Sequence, residues 1–231
     1  GEAGLVVTDD DKLFYRIQQW AEGGGLWRPD RYAPARWEGE LFCGLNYRMS
    51  ELEGTVALVQ FGKMDAQLAR WRKNKRRILS EIPVYHEIQP QKIHDIDGEM
   101  GHSIGFFPET AEESERIVAA LEAEGVSCGT RGNNPGRDWH IYDSVDQILQ
   151  KMPATSDGCP WRCSKTGEEV PVEYSPDMCP RTLDLTSRQV QVRVDQWWTE
   201  SDCKQVATAI KKVFDAYYTR NTNYENWFEI F

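Results

Sequence analysis

A chain of 231 residues with 40% hydrophobic and 28% charged residues is long enough to bury a real core, as one large domain or two small ones. Its formal net charge of −10 excludes a broad nucleic-acid footprint, which needs a basic face. No apolar run approaches the roughly 20 residues that cross a bilayer, and the first eight residues, Gly1 to Thr8, lack the basic start and apolar core of a signal peptide.

Leu5-Val6-Val7 reads as a short buried strand, followed by acidic residues that suit a helix N-terminus. A helix is expected from Asp10 to Trp20, with Leu13, Ile17 and Trp20 on one face, ended by Gly23-Gly24-Gly25. The aperiodic stretch from Leu26 to Cys43 is a loop of functional or interface type, in which Trp27, Tyr32 and Trp37 should pack against something. Ser50 to Ile82 is the longest helical pattern. Ser50 caps it, Leu52, Val56 and Val59 mark its early face, Met64, Leu68, Trp71, Ile78 and Ile82 its later one, and Pro83 stops it. The basic run from Arg70 to Arg77 is read as a solvated helix face rather than a nucleic-acid patch.

Beyond Val84 short strands alternate with helices. Strands are expected at Ser103–Phe107, Val126–Thr130 and Gln189–Val194. Helices are expected at Thr110–Glu124, closed by Gly125, at Tyr142–Met152, and at Ser201–Tyr218, capped by Ser201 and Asp202. Pro153 to Pro180 is a loop, and the aromatic tail to Phe231 should be docked. The fold class is therefore α/β with an α+β C-terminal subdomain, and the boundary is placed near Ile82, giving parts 1–82 and 83–231. Cys159 and Cys163 suggest zinc, but their spacing is loose and neither a paired Cys-x-x-Cys nor a nearby His follows Cys179. Six free thiols in a cytoplasmic protein is the preferred reading, with no metal.

Gly1-Glu2-Ala3-Gly4-Leu5-Val6-Val7-Thr8-Asp9-Asp10 and Gly44-Leu45-Asn46-Tyr47-Arg48-Met49-Ser50-Glu51-Leu52 resemble two motifs of the DegT/StrS sugar aminotransferases of pyridoxal-phosphate fold type I. The first is the Gly-Glu-Gly-Gly turn that follows the cofactor lysine, with Ala3 in place of its third residue. The second is the Asn-Tyr-Arg-Met signature that opens a long helix. Two weaker likenesses, Arg181 to Arg188 after Cys179-Pro180 and Trp139-His140-Ile141-Tyr142, match the branch acting on keto-sugars and aminocyclitols. The resemblance implies that the chain is the C-terminal portion of a fold-type-I transferase. A remnant of the large cofactor-binding domain and the inter-domain helix would occupy 1–82, and a small domain 83–231.

The resemblance further implies pyridoxal 5'-phosphate as cofactor, an amino-acid donor, a keto-sugar or cyclitol acceptor, and a homodimer with shared sites. No lysine of this chain precedes a Gly-Glu-x-Gly turn, so the Schiff-base lysine is expected upstream of Gly1 and the chain alone is expected to be inactive. Asn46 takes the role of an asparagine at the cofactor phosphate of the neighbouring subunit. Arg48 is assigned to a substrate anion or to holding the dimer, with a structural ion pair equally open, and His140 to a substrate contact across the dimer or, evenly, to a surface or core-edge position. Asn133 and Asn134, with Arg131 and Arg137, offer donors for a hydroxylated or carboxylated substrate. A dehydratase of the same family, or a non-catalytic partner subunit, are the alternatives.

Overall fold

The computed structural model describes residues 3–24, 32–133 and 138–231. Trp27, Asn134 and Arg137 lie outside the described residues. The chain divides into two compact units, Gly1–Ala66 and Gln67–Phe231. The division falls within one long helix, whose last turns belong to the core of the second unit.

The first unit opens without a strand. Leu5, Val6 and Val7 lie in no strand and are largely exposed, so the expected buried strand does not form. Helix α1, Asp11–Ala21, starts where the Asp10 carboxylate accepts from the Leu13 N–H at 2.9 Å. It ends where Gly24, at φ +97°, turns back to donate to the Gln19 carbonyl at 2.7 Å. Beyond it a small aromatic nucleus replaces a core. Tyr15 and Trp37 lie 6.1 Å apart, Trp20 stacks on Phe42 at 6.2 Å, and Arg36 lies over both Tyr15 and Trp37. The Arg36 guanidinium also pairs with the fully buried Glu40 at 2.5 Å. Trp37 thus packs as expected, whereas Tyr32 is 94% exposed.

Helix α2, Glu51–Leu79, begins with a reciprocal cap: Glu53 N–H donates to Ser50 Oγ and Ser50 N–H to the Glu53 carboxylate. Leu52, Val56 and Val59, the expected early face, are all more than half exposed. The later turns differ. Asn74, Lys75, Ile78 and Leu79 are buried, and Ile82 follows them into the second unit's core. The basic run is not a merely solvated face. Arg72 donates to the Gly98 and Glu99 carbonyls, Lys75 pairs with Glu99 at 2.6 Å, Arg76 with Asp97, and Arg77 with Glu200. Acidic and carbonyl partners brought from distant sequence convert those cations into anchors.

The second unit is a four-stranded antiparallel sheet in the order β1-β2-β4-β3: β1 Gln89–Pro90, β2 Ser103–Phe107, β3 Cys128–Thr130 and β4 Val190–Arg193. Strict alternation along β4 buries Val190 and Val192 and turns Gln191 and Arg193 outward. On the buried side, Ile104 and Phe106 of β2 stand beside them and join the core with Ile117 and Leu121 of α3, Ala111–Ala123. Ile210, Val213 and Phe214 of α6, Glu200–Tyr217, complete it. Thr199, not Ser201, caps α6, in a capping box with Asp202, because the Thr199 hydroxyl sits one turn before the Asp202 N–H. The expected helix 142–152 shortens to a 3-10 turn at Tyr142–Ser144 and one α turn, α4 Asp146–Leu149, since Tyr142 and its neighbours bond elsewhere. Helix α5, Pro180–Arg188, follows the 153–180 loop, with Pro180 in its first turn. The tail is docked: Trp227 is buried and its backbone N–H donates to the Ile82 carbonyl at 2.9 Å.

Phe214 is the centre of that core, edge-on to Phe106 at 5.1 Å, Tyr85 at 5.4 Å and Tyr218 at 5.9 Å, with Trp227 at 6.0 Å. Phe214→Ala leaves a cavity that a rigid aromatic ring of neighbours cannot close. It is expected to cost about 3–5 kcal/mol in urea unfolding followed by far-UV circular dichroism. Leu52→Gln, at an exposed site, should stay within about 0.5 kcal/mol of the parent. A small effect of Phe214→Ala would mean the aromatic cluster is not packed as described.

Candidate functional site

The signature segment is built across the end of α1. The last turn of any helix leaves carbonyls without intrahelical partners. Here the extended segment from Phe42 to Tyr47 supplies them: Leu45 N–H donates to the Trp20 carbonyl at 2.8 Å and Tyr47 N–H to Ala21 at 2.9 Å, while Gly23 N–H returns a bond to Leu45. Glu22 and Asn46 thereby face each other in an antiparallel bridge. The approach is too close for a side chain at Gly44, where a Cβ would lie 2.7 Å from the Gln19 carbonyl oxygen and 2.9 Å from that of Trp20. The glycine of the motif is therefore a packing requirement of this crossing.

That crossing sets three polar side chains together. Arg48 Nε lies 3.2 Å from the Glu22 carboxylate and 3.4 Å from Asn46 Oδ1, and Arg48 N–H donates to the same Oδ1 at 3.1 Å. With its oxygen accepting from Arg48, the Asn46 amide points its NH2 group outward, and among the described residues that group donates to nothing. Asn46 and Arg48 are both exposed. Arg48 is thus in an ion pair within its own unit while keeping guanidinium N–H groups toward solvent. Glu22 carried no sequence signal beyond being the acid just before the triple glycine, and its role in holding Arg48 emerges only from the bridge.

The remaining sequence-derived residues fall in the second unit, on the segment after β3. Asn133 is tied to α3, its side-chain Nδ2 donating to Glu112 at 2.6 Å and its backbone N–H to Glu115 at 2.7 Å. His140 is 92% exposed, and its ring Nδ1 sits 2.9 Å from Asp138. The His140 backbone N–H and ring together hold the Asp138 carboxyl below its usual range. Arg131 organises the segment: it pairs with Asp143 and donates to Thr186 Oγ1 of α5 at 3.3 Å, both partners being far from it in sequence. Tyr142 adds a second tie, donating to the Pro176 carbonyl at 2.6 Å and accepting from Cys179 N–H at 3.0 Å.

All six cysteines are unpaired. Among the described residues no group of three or more His, Cys, Asp or Glu could hold a metal ion, and no helix is long and apolar enough to cross a membrane.

Arg131 and Asp143 are each only about 15% exposed, so Asp143→Asn leaves a largely buried guanidinium without its counter-charge. The expected cost is about 1–3 kcal/mol, below that of a fully buried pair because some solvent reaches both groups. Hydrogen exchange should quicken at the amides around Tyr142. Unchanged exchange there would show that Arg131 does not hold this segment.

Solved structures similar to this chain share its fold at low identity. 3-Amino-5-hydroxybenzoic acid (AHBA) synthase superposes with a TM-score of 0.55 at 18% identity, over 90% of this chain and 48% of that one. PseC of Helicobacter pylori, an aminotransferase of pseudoaminic acid biosynthesis, gives 0.53 at 12%, over 91% and 48%. The PLP form of Spr1654 from Streptococcus pneumoniae, a sugar aminotransferase by its description, gives 0.51 at 15%, over 90% and 45%. The chain thus spans slightly less than half the length of these proteins and corresponds to a partial, C-terminal portion of the fold-type-I architecture. A model of the DegT/DnrJ/EryC1/StrS aminotransferases matches residues 1–164, which include the Gly44–Leu52 signature on its helix-end crossing, and the chain belongs to that family.

Proposed function

We propose that this chain supplies one wall of a sugar aminotransferase that moves an amino group from an amino acid to a keto-sugar or cyclitol. The observation that carries the reading is the outward, uncommitted amide NH2 of Asn46 beside the Arg48 guanidinium. Both groups are donors only in that orientation, so the pair suits an anion and repels a cation.

That donor set fits the phosphate of pyridoxal 5'-phosphate. Asn46 would give it one hydrogen bond, and Arg48 a second or a contact to an acidic group of the substrate. The N-terminus of α2 offers less, because its own cap already takes up the Glu53 N–H. When bound, the cofactor supplies an electron sink for amino transfer. Residues of this chain bind and orient: Glu22 holds Arg48, Arg48 fixes the Asn46 carbonyl, and Asn46 presents its NH2. On the same proposal Asn133, Asn134 and His140 contribute to substrate recognition, the complete enzyme is a homodimer with shared sites, and the cofactor-binding lysine comes from the other half of the fold. The chain spans under half of the structures it resembles, and none of its lysines precedes the family's glycine turn, which supports that division.

Two measurements test the proposal. Titrating this chain with pyridoxal phosphate, reducing with borohydride and mapping peptides should give no stoichiometric label on a single lysine. A site-specific adduct would overturn the assignment of the lysine to other residues. In a protein carrying both halves of the fold, Asn46→Ala should weaken cofactor affinity by about 1–3 kcal/mol. Unchanged affinity would remove Asn46 from the phosphate.

A further inference from the structure

The second unit carries a polar cleft on the face of its sheet opposite the core. It has a volume of about 580 Å³, and among the described residues it is lined by β3 with Ser127 before it, β4 with Gln189 before it, Thr186 of α5 and the segment following β3. Its floor is flat for a reason visible in the register. Gln191 of β4 lies between Gly105 and Gly129, so neither flanking strand raises a side chain beside it. The Gln91 side chain lies over Gly105 and covers that side. Over Gly129 nothing comes within 4 Å of where a Cβ would stand, and the floor is open.

The groups around this floor are chemically consistent. Gln189 and Gln191 provide neutral amides, each both donor and acceptor, and Thr130 and Thr186 lie on the same rim. Arg131 is held in place and compensated by Asp143. Arg193 is exposed at the end of β4 and has no ion pair or side-chain hydrogen bond among the described residues. The cleft therefore holds one fixed, neutralised arginine, one uncompensated arginine and the Asp138 carboxylate, which already accepts from the His140 backbone N–H, over a bed of amides and hydroxyls. Ile141 is its one aliphatic side chain among the described residues, which argues against an apolar ligand. Amides and hydroxyls match a ring of hydroxyl groups, and a guanidinium matches a phosphate or carboxylate by a two-pronged bond.

We propose that this cleft binds a phosphorylated polyol, the phosphate on Arg193 and the hydroxylated ring over Gly129 against Gln191 and Gln189. The site stands on the second unit alone and is independent of the role assigned to Asn46.

The test uses the whole chain without cofactor, so its outcome is separate from that of the amino-transfer reading. Glucose 6-phosphate, glucose and inorganic phosphate are titrated in turn into the 15N-labelled protein. Glucose 6-phosphate is expected to shift the Gly129 amide and the Gln191 backbone and side-chain resonances, and to bind more tightly than either fragment. Arg193→Gln should weaken it by about tenfold, the loss of one charge-assisted contact. Gly129→Val places a branched side chain on the open floor of a strand and should abolish binding while circular dichroism and melting stay as in the parent. The proposal is overturned by binding that survives both substitutions, by phosphate binding as tightly as glucose 6-phosphate, or by shifts confined to residues outside the cleft.

Discussion

The second unit depends on a polar latch in an otherwise apolar place. Asn74 of α2 is buried, and its side-chain amide donates to the Asp195 carbonyl at 2.9 Å and the Trp198 carbonyl at 3.1 Å, in the segment joining β4 to α6. At the next residue, Lys75 is buried against Glu99. Two backbone carbonyls left without that amide would each cost about 1–3 kcal/mol, comparable to burying an aliphatic side chain. The latch fixes the rotation of the helix, so that Ile78, Leu79 and Ile82 enter the core and Pro83 starts a segment that pairs with the C-terminal tail. Gly101 approaches the same helix so closely that a Cβ would lie 2.9 Å from the Arg72 nitrogen, so the loop before β2 is fastened at the same level.

The other half of α2 has no such partner in its own unit. Leu52, Val56, Leu58, Val59 and Phe61 are each more than half exposed, and Tyr47 and Leu45 of the signature segment share that exposure. Each would gain roughly 1.5–3 kcal/mol on full burial, and exposed apolar side chains in this number mark a helix that other bodies cover. Under the proposed reading, the rest of the large domain and the second subunit are the bodies that cover it. The same sequence pattern thus has two outcomes along one helix: apolar positions at helical spacing guarantee a face, but whether the face is buried depends on what the chain brings against it.

That distinction explains what the sequence could and could not reveal. β2 was legible to the residue, and α1, α3 and α6 to within a residue or two, because period and capping chemistry are local: Asp10, Thr110 and Thr199 each satisfy the N–H three residues on, although the cap of α6 was read two residues late. Leu5-Val6-Val7 has strand composition yet lies in no strand and stays bare, since a strand exists only with a neighbour to pair with. The basic run on α2 was taken for a solvated face because Asp97, Glu99 and Glu200, which make it an anchor, are remote in sequence. At the site, the motif pointed to Asn46 and Arg48, but Glu22 and the close crossing at Gly44 needed coordinates. In the second unit the cleft floor was invisible, because it comes from register: two glycines placed on either side of one glutamine by strands far apart in the chain.

Arginines in this acidic chain are mostly spent on position rather than on charge. Arg48 is compensated by Glu22, Arg131 by Asp143 and Arg188 by Asp184, and each also donates to a neutral oxygen, on Asn46, Thr186 and Pro108 respectively. A compensated guanidinium attracts anions only weakly, but it holds whatever accepts its second hydrogen bond. Its partner at the signature is an amide whose other end is a donor. By occupying the Asn46 oxygen, Arg48 removes the one acceptor from that edge and leaves NH2 facing out. Under the proposed reading, the sign of the ligand is then set less by the positive charge of Arg48 than by the orientation it imposes on a neutral side chain. Lysine at this position would keep the charge and lose the lateral Nε bond that fixes the amide, which is why the motif's arginine is not replaceable by charge alone.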